Sequence, residues 1–139
     1  RMQSGIYIAA LAGTVIAVGV INAQSGLSVA PDSRTFELRT YTSEPGKLEA
    51  LHARFRDHTT ALFERHGMTN VGYFVPTDRT DTLVYILAHE SRQAAERSWQ
   101  GFGNDSDWQD AAEASRVNGR LVANVDSVFM SATDYSLLK

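Results

Sequence analysis

Apolar and polar side chains alternate along residues 35–41, as expected for a strand with one buried face. Phe36 and Leu38 share one face of this strand, and Glu37, Arg39 and Tyr41 share the other. We expect Phe36 and Leu38 to pack beneath helices. In that case Glu37, Arg39 and Tyr41 point away from the helices, toward the opposite side of the sheet.

The pattern of the remaining chain predicts a strand, helix, hairpin, helix, strand order. The predicted strands span residues 35–41, 71–75, 82–89 and 127–132, and the predicted helices begin at Ser43, Ser91 and Asp105. Gly67 is expected to end the first helix, and Asn118-Gly119 the last. This order predicts an α+β domain over residues 35–139, of the ferredoxin-like βαββαβ type, with a four-stranded antiparallel sheet and helices on one face.

Both faces of the strand at residues 82–89 are apolar. Leu83, Tyr85 and Leu87 alternate with Val84 and Ile86, whereas a solvated antiparallel sheet is polar on one side. Because monomers seldom expose large apolar patches, we expect a homodimer through the open sheet face. The alternative is that these apolar side chains only pack at sheet edges.

The N-terminal region differs in character from the predicted domain. Residues 5–21 contain no charged side chain, Arg1 precedes them, and Ala23 follows as a small residue suited to cleavage. We therefore expect residues 1–23 to be a signal peptide, or an uncleaved membrane anchor, since about 20 apolar residues span a bilayer. Residues 24–34 are rich in Ser, Gly and Pro and are interpreted as a linker. These features predict an exported protein, periplasmic or secreted, or one anchored to a membrane.

Composition narrows the possible functions. The 139 residues include 13 basic and 16 acidic side chains, for a net charge of -3, so no basic face for nucleic acid is expected. The chain has no cysteine, which excludes disulfides, thiolate metal sites and cysteine nucleophiles. No catalytic motif is evident, and the catalytic residues cannot be assigned from the sequence.

A candidate ligand pocket is formed by Arg39, Tyr41, Tyr73, Tyr85 and His89. Arg39 could hold an anionic small molecule by a bidentate contact, and the tyrosines could line a pocket with hydroxyl groups. The alternative for Arg39 is a structural ion pair with Glu37. His89 could act as a base or ligand, or be a solvated strand end.

Three histidines of the first helix do not form a metal site. His52 and His66 lie on nearly the same face but about 21 Å apart along the helix, and His52 and His58 point to opposite sides. No metal is therefore predicted. No cofactor is predicted either, although a haem needs only one histidine, and His52 or His58 could supply it.

Four fragments in the expected order carry a family resemblance: FELRTYT at 36–42, EPGKLEAL at 44–51, ERHGMTNVGYF at 64–74 and DSDWQ at 105–109. Together they resemble the NIPSNAP family. The resemblance implies a dimeric α/β-barrel fold and a binding protein more than an enzyme. Mitochondrial and vesicle partners of eukaryotic members are not carried over, because the apolar N-terminal segment departs from that setting.

Three functions are consistent with these expectations. The first is an exported homodimeric domain with a binding or structural role and an unknown ligand. The second is a cofactor-independent or haem-dependent oxygenase-type enzyme, which the wider superfamily includes. The third is a membrane-anchored accessory subunit of a larger assembly.

Overall fold

The computed structural model describes residues 33–139. The elements run β1 (Thr35–Ser43), α1 (Leu48–Arg54), a π-helical turn (Phe55–Thr59), α2 (Thr60–Arg65), β2 (Thr69–Phe74), β3 (Thr82–His89), α3 (Arg92–Asn104), α4 (Ser106–Ser115) and β4 (Val122–Ser131). The predicted signal or anchor segment and residues 24–32 of the predicted linker lie outside the described residues. Among the helices of residues 33–139, none combines the length and apolar character needed to cross a bilayer.

The four strands form one antiparallel sheet in the order β2-β3-β1-β4. The strand β1 lies in the middle, where Arg39 is opposite Tyr85 of β3 and Ser127 of β4. The predicted ferredoxin-like fold is therefore confirmed. Dimerisation is a separate matter that stays a prediction.

The first helical segment begins later than predicted. Ser43 is the last residue of β1, and the chain turns at Gly46, which has φ of +70°, before α1 begins at Leu48. The predicted Ser43 cap is wrong because β1 continues its pairing with β4 up to that residue. Gly67, with φ of +77°, follows the helix end as predicted.

Two later helix starts agree with the sequence. The side chain of Ser91 accepts a hydrogen bond from the backbone N–H of Ala94, and that of Asp105 accepts one from Asp107. Each satisfies a backbone donor that the first turn of a helix leaves free. The last strand, in contrast, begins at Val122 and is longer than the predicted 127–132.

The core lies between the helices and one face of the sheet and is rich in aromatic rings. Tyr85 of β3 is fully buried at its centre, 5.2 Å from the ring of Phe55 and 6.0 Å from that of Phe63. Phe102 of α3 packs against Phe63 at 5.0 Å. These edge-on and offset contacts join the first helical segment and α3 to the sheet.

The open face of the sheet is apolar over much of its area, with Thr40 and Asp126 as polar exceptions, and the C-terminal tail lies against one end of it. Phe36, Ala88 and Ala132 form a small buried cluster there, with Ile86 and Met130 packed against it. The tail is held by a hydrogen bond from Arg34 Nε to the backbone oxygen of Lys139 at 2.9 Å.

Candidate functional site

The carboxylate of Glu37 is the centre of a buried polar network between the sheet and α3. Its Oε1 accepts hydrogen bonds from Arg39 Nη1 and Ser127 Oγ, both at 2.7 Å. Its Oε2 accepts from Trp99 Nε1 at 2.8 Å and from His89 Nε2 at 2.9 Å. Only 1% of Glu37 is exposed, so these four donors replace the water that the carboxylate loses on folding.

The network keeps Glu37 ionised. Burial by itself would raise the pKa of Glu37, but the four hydrogen bonds, led by that from His89, lower the pKa to about 2. An ionised carboxylate only accepts hydrogen bonds, so His89 Nε2 carries a hydrogen. Glu37 therefore has no free site with which to take up a substrate proton.

Arg39 completes an ion pair within this network. Its guanidinium also lies over the ring of Trp99, 4.3 Å from the centroid, and Nη2 contacts the hydroxyl of Tyr41 at 3.4 Å. Burial lowers the pKa of Arg39, but Tyr41, Tyr85 and the Glu37 carboxylate raise it above its ordinary value. Arg39 therefore stays charged, and its charge is already neutralised inside the protein.

The expected orientation of β1 is wrong. Glu37, Arg39 and Tyr41 face the helices, whereas Phe36 and Leu38 face the open side of the sheet. Alternation groups the residues of each face correctly, but both faces of β3 are apolar, so the pattern does not show which one the helices cover.

The structure brings the three candidate tyrosines together on the helix side. The ring of Tyr85 lies 5.3 Å from that of Tyr41 and 5.2 Å from that of Tyr73. The hydroxyl of Tyr73 donates to Asn70 Oδ1, and burial raises the pKa of Tyr73. The hydroxyl of Tyr85 is buried without a hydrogen-bond partner, and burial raises its pKa as well.

His89 is buried, not solvated. It lies on the same sheet face as Tyr85, with Nε2 bonded to Glu37 and Nδ1 buried without a partner. The geometry favours the structural ion pair that was the alternative for Arg39, and it gives His89 a buried structural contact in place of the expected solvated strand end. Ligand binding at the five predicted residues stays a prediction.

Trp99 and Ser127 belong to the network but were not candidates from the sequence, in which Trp99 is simply an apolar residue of a predicted helix. Each is more than 60 residues from Glu37 along the chain. Their only sequence signal is indirect: strand order and register place Ser127 beside Arg39. The indole N–H of a tryptophan needs an acceptor when it is buried, which could have suggested a nearby carboxylate.

The helical layer does not cover β4 completely. Val125 and Ser127 lie on its helix side, since they are opposite Tyr41 and Arg39 in register, yet both are exposed. A strip of the helix side is thus open to solvent along β4, and Arg39, with 17% of its side chain exposed, lies at its inner edge. The remaining histidines of the first helical segment do not join this site, and no group of three potential metal ligands occurs among residues 33–139.

The strand order and the single layer of helices on one face of the sheet define an α+β domain of the ferredoxin-like class. The NIPSNAP family model matches residues 36–137, and the chain therefore belongs to the NIPSNAP family. Among curated proteins, none matches the chain.

Several solved structures share this fold. A NIPSNAP family protein of unknown function from Agrobacterium tumefaciens superposes with a TM-score of 0.71 at 19% identity, covering 81% of this chain and 99% of that one. A NIPSNAP-like domain protein from Burkholderia xenovorans gives 0.67 at 15% identity, covering 76% and 90%. A putative antibiotic biosynthesis monooxygenase from Chloroflexus aurantiacus gives 0.53 at 16% identity, covering 73% and 94%. At these identities the likeness shows the fold alone.

Proposed function

We propose that this NIPSNAP domain works as a homodimer with a binding or structural role, and that two copies pair through their open sheet faces. The observation that carries the proposal is the set of exposed apolar side chains on that face, which also carries the polar Asn124 and Asp126. Phe74 of β2 and Val128 of β4 lie on it with 56% and 55% of their surface exposed, near the half-buried Leu38 and Ile86. Leaving such a face in water is unfavourable, and a two-fold contact would cover both copies at once.

The absence of free reactive groups in the Glu37 network supports a binding or structural role over catalysis. Glu37 is saturated with donors, Arg39 is paired, and His89 has no access to solvent. The oxygenase-type alternative is supported only by the likeness to a monooxygenase structure, and that likeness shows a shared fold and nothing about activity. The contacts of this network therefore favour a binding or structural role.

The location is a separate proposal. The uncharged apolar residues 5–21 support export or anchoring of the dimer, and fractionation of cells that express the full chain tests both. Recovery in the cytosolic fraction would contradict export and anchoring alike.

The dimer is tested by replacing Val128, which is exposed in a single copy, with a charged residue. We expect the wild type to sediment as a dimer and Val128→Glu to sediment as a monomer with an unchanged circular dichroism spectrum, because the charge would be buried in the contact. Val117→Glu is the matched control, since Val117 is 76% exposed in the loop before β4, away from the open face. A monomeric wild type, or a Val128→Glu variant that remains dimeric, would contradict the proposal.

A further inference from the structure

Arg54, at the end of α1, carries a buried charge that no carboxylate of residues 33–139 neutralises. Only 9% of Arg54 is exposed. Among residues 33–139, no carboxylate lies within ion-pair distance of it, and its one side-chain hydrogen bond runs from Nη1 to Ser115 Oγ at 3.3 Å. Its Nε is buried and unpartnered. Residues 1–32 contain a single acidic side chain, Asp32.

Such a charge is unfavourable unless something neutralises it, because burial removes the water that stabilises a guanidinium. Burial lowers the pKa of Arg54, and repulsion from Arg116 lowers it further. The ring of Trp108, 5.1 Å away, and the C-terminal end of α4 offer only partial compensation. Arg116 already takes one carbonyl of that helix end, through a 2.9 Å hydrogen bond from Nε to Ala112.

Arg116 adds a second unpaired cation at the same place. It is exposed and makes no ion pair with any carboxylate in the part of the chain that the structure describes. Arg54 and Arg116 both line a surface depression of about 370 Å³ beside the start of β4. Arg120 also borders it, but Arg120 is bound to Glu44, so its charge is already neutralised.

The rest of this depression is mixed in character, with Asn124 beside the apolar residues Val122, Ala123 and Val125. Leu121, Val122 and Val125 line it, and Val125 belongs to the strip of β4 that the helices leave open. Two planar guanidinium groups suit a carboxylate, which they can bind through paired hydrogen bonds. An apolar wall beside them suits a ligand that carries hydrocarbon next to its charged end.

We propose that Arg54 and Arg116 bind the carboxylate of a small organic acid, and that the apolar part of this acid lies along Val122 and Val125. The site rests on the binding role proposed above and gives it a ligand class. It lies on the helix side of the sheet, opposite the proposed dimer face, so the two proposals can fail independently.

Octanoate is a suitable probe, with inorganic phosphate as a comparison that has charge but no hydrocarbon. In isothermal titration calorimetry of the full chain we expect octanoate to bind more tightly than phosphate. Arg54→Met should weaken octanoate binding at least about tenfold, since a hydrogen-bonded charge pair is lost. Arg56→Met, two residues further along and 66% exposed, is the matched control and should bind as the wild type does.

Stability in anion-free buffer separates a ligand site from a structural role. Arg54→Met should not lower the melting temperature, because the variant removes an unpaired buried charge and keeps most of the apolar side chain. Arg116→Met, at an exposed position, should weaken octanoate binding without loss of fold, and gives the answer if Arg54→Met does not fold.

Three results would overturn the proposal. They are no octanoate binding by the wild type, binding that both Arg54→Met and Arg116→Met leave unchanged, or phosphate binding as tight as that of octanoate. Sedimentation of the same variants reports whether they remain dimers. If they do, such a failure concerns the anion site and not the pairing of two copies.

Discussion

Arg39 and Arg54 lie on the same side of the sheet in similar surroundings, but their charges are treated differently. Each is largely withdrawn from water, and each lies over a tryptophan ring, Trp99 at 4.3 Å and Trp108 at 5.1 Å. Arg39 forms a 2.7 Å ion pair with Glu37, whereas Arg54 has no carboxylate partner among residues 33–139.

This contrast separates a buried charge that belongs to the fold from one that is available to a ligand. A buried arginine with a hydrogen-bonded carboxylate has its charge neutralised, as Arg39 does although its Nε is buried without a partner, and removing either member of the pair leaves an uncompensated charge. A buried arginine without one lowers stability, which suits a residue whose charge serves a ligand and not the fold. Arg39 is therefore structural, whereas Arg54, on the same side of the sheet, is a candidate ligand contact.

The largest expected effect is that of Glu37→Gln, which removes the carboxylate that neutralises Arg39. The substituted amide would lack the charge that balances Arg39, and its N–H groups would face donors from Arg39, His89 or Trp99. We expect a loss of about 3–5 kcal/mol in the free energy of unfolding, measured by urea denaturation. Glu49→Gln, at an 82% exposed side chain, should change the free energy by less than about 0.5 kcal/mol. Similar losses in both variants would refute the role given to the network.

Acid should weaken the same network at a defined pH. The pKa of Glu37 is about 2 in the folded chain against 4.5 for an ordinary glutamate, so its contribution is complete above about pH 4.5 and is lost as pH falls toward 2. Integrated over that interval the loss is about 3 kcal/mol. Asp105 also has a lowered pKa, owing mainly to its hydrogen bond with His66, and titrates in both proteins. The difference between wild type and Glu37→Gln therefore isolates Glu37, and it should shrink as pH falls from 4.5 to 2.

The elements of the fold were predictable because their signals are local. Ser91 accepts its capping hydrogen bond three residues along, and Gly67 adopts the positive φ that ends a helix. The face of β1 that the helices cover was not predictable, since it depends on packing between distant segments. The π-helical turn at Phe55–Thr59 was not predictable either, because it contains no glycine or proline that would mark a break in the helix.

Arg39 and Arg54 differ in how much of their surroundings could be predicted from the sequence. Glu37 and Arg39 are two residues apart on one strand, so their pairing was among the expected alternatives. Arg54 follows Leu51 by three residues, which places it beside the apolar stripe of its helix and is the one sequence signal of burial. Its side chain contacts Ser115 and Trp108, which are more than 50 residues away along the chain. Only the folded chain therefore shows that no carboxylate of residues 33–139 pairs with it.

The smallest and most direct test replaces each arginine by methionine, which keeps the apolar part of the side chain. Arg39→Met leaves Glu37 buried with three of its four donors, so we expect a loss of about 2 kcal/mol in the free energy of unfolding. The variant should also lose stability at a higher pH than the wild type, because the pKa of Glu37 rises when Arg39 is removed. Arg54→Met should cost nothing without an anion, since no buried partner is left unpaired.

The contrast between these two variants decides whether the charge of Arg54 stabilises the fold as that of Arg39 does. Urea denaturation of both in anion-free buffer should separate them by about 2 kcal/mol. Equal losses would mean that Arg54 is compensated in solution, and the case for an open anion site would fall. A loss at Arg39 alone would leave Arg54 as a charge that the fold does not need, held in position beside the apolar depression at the start of β4.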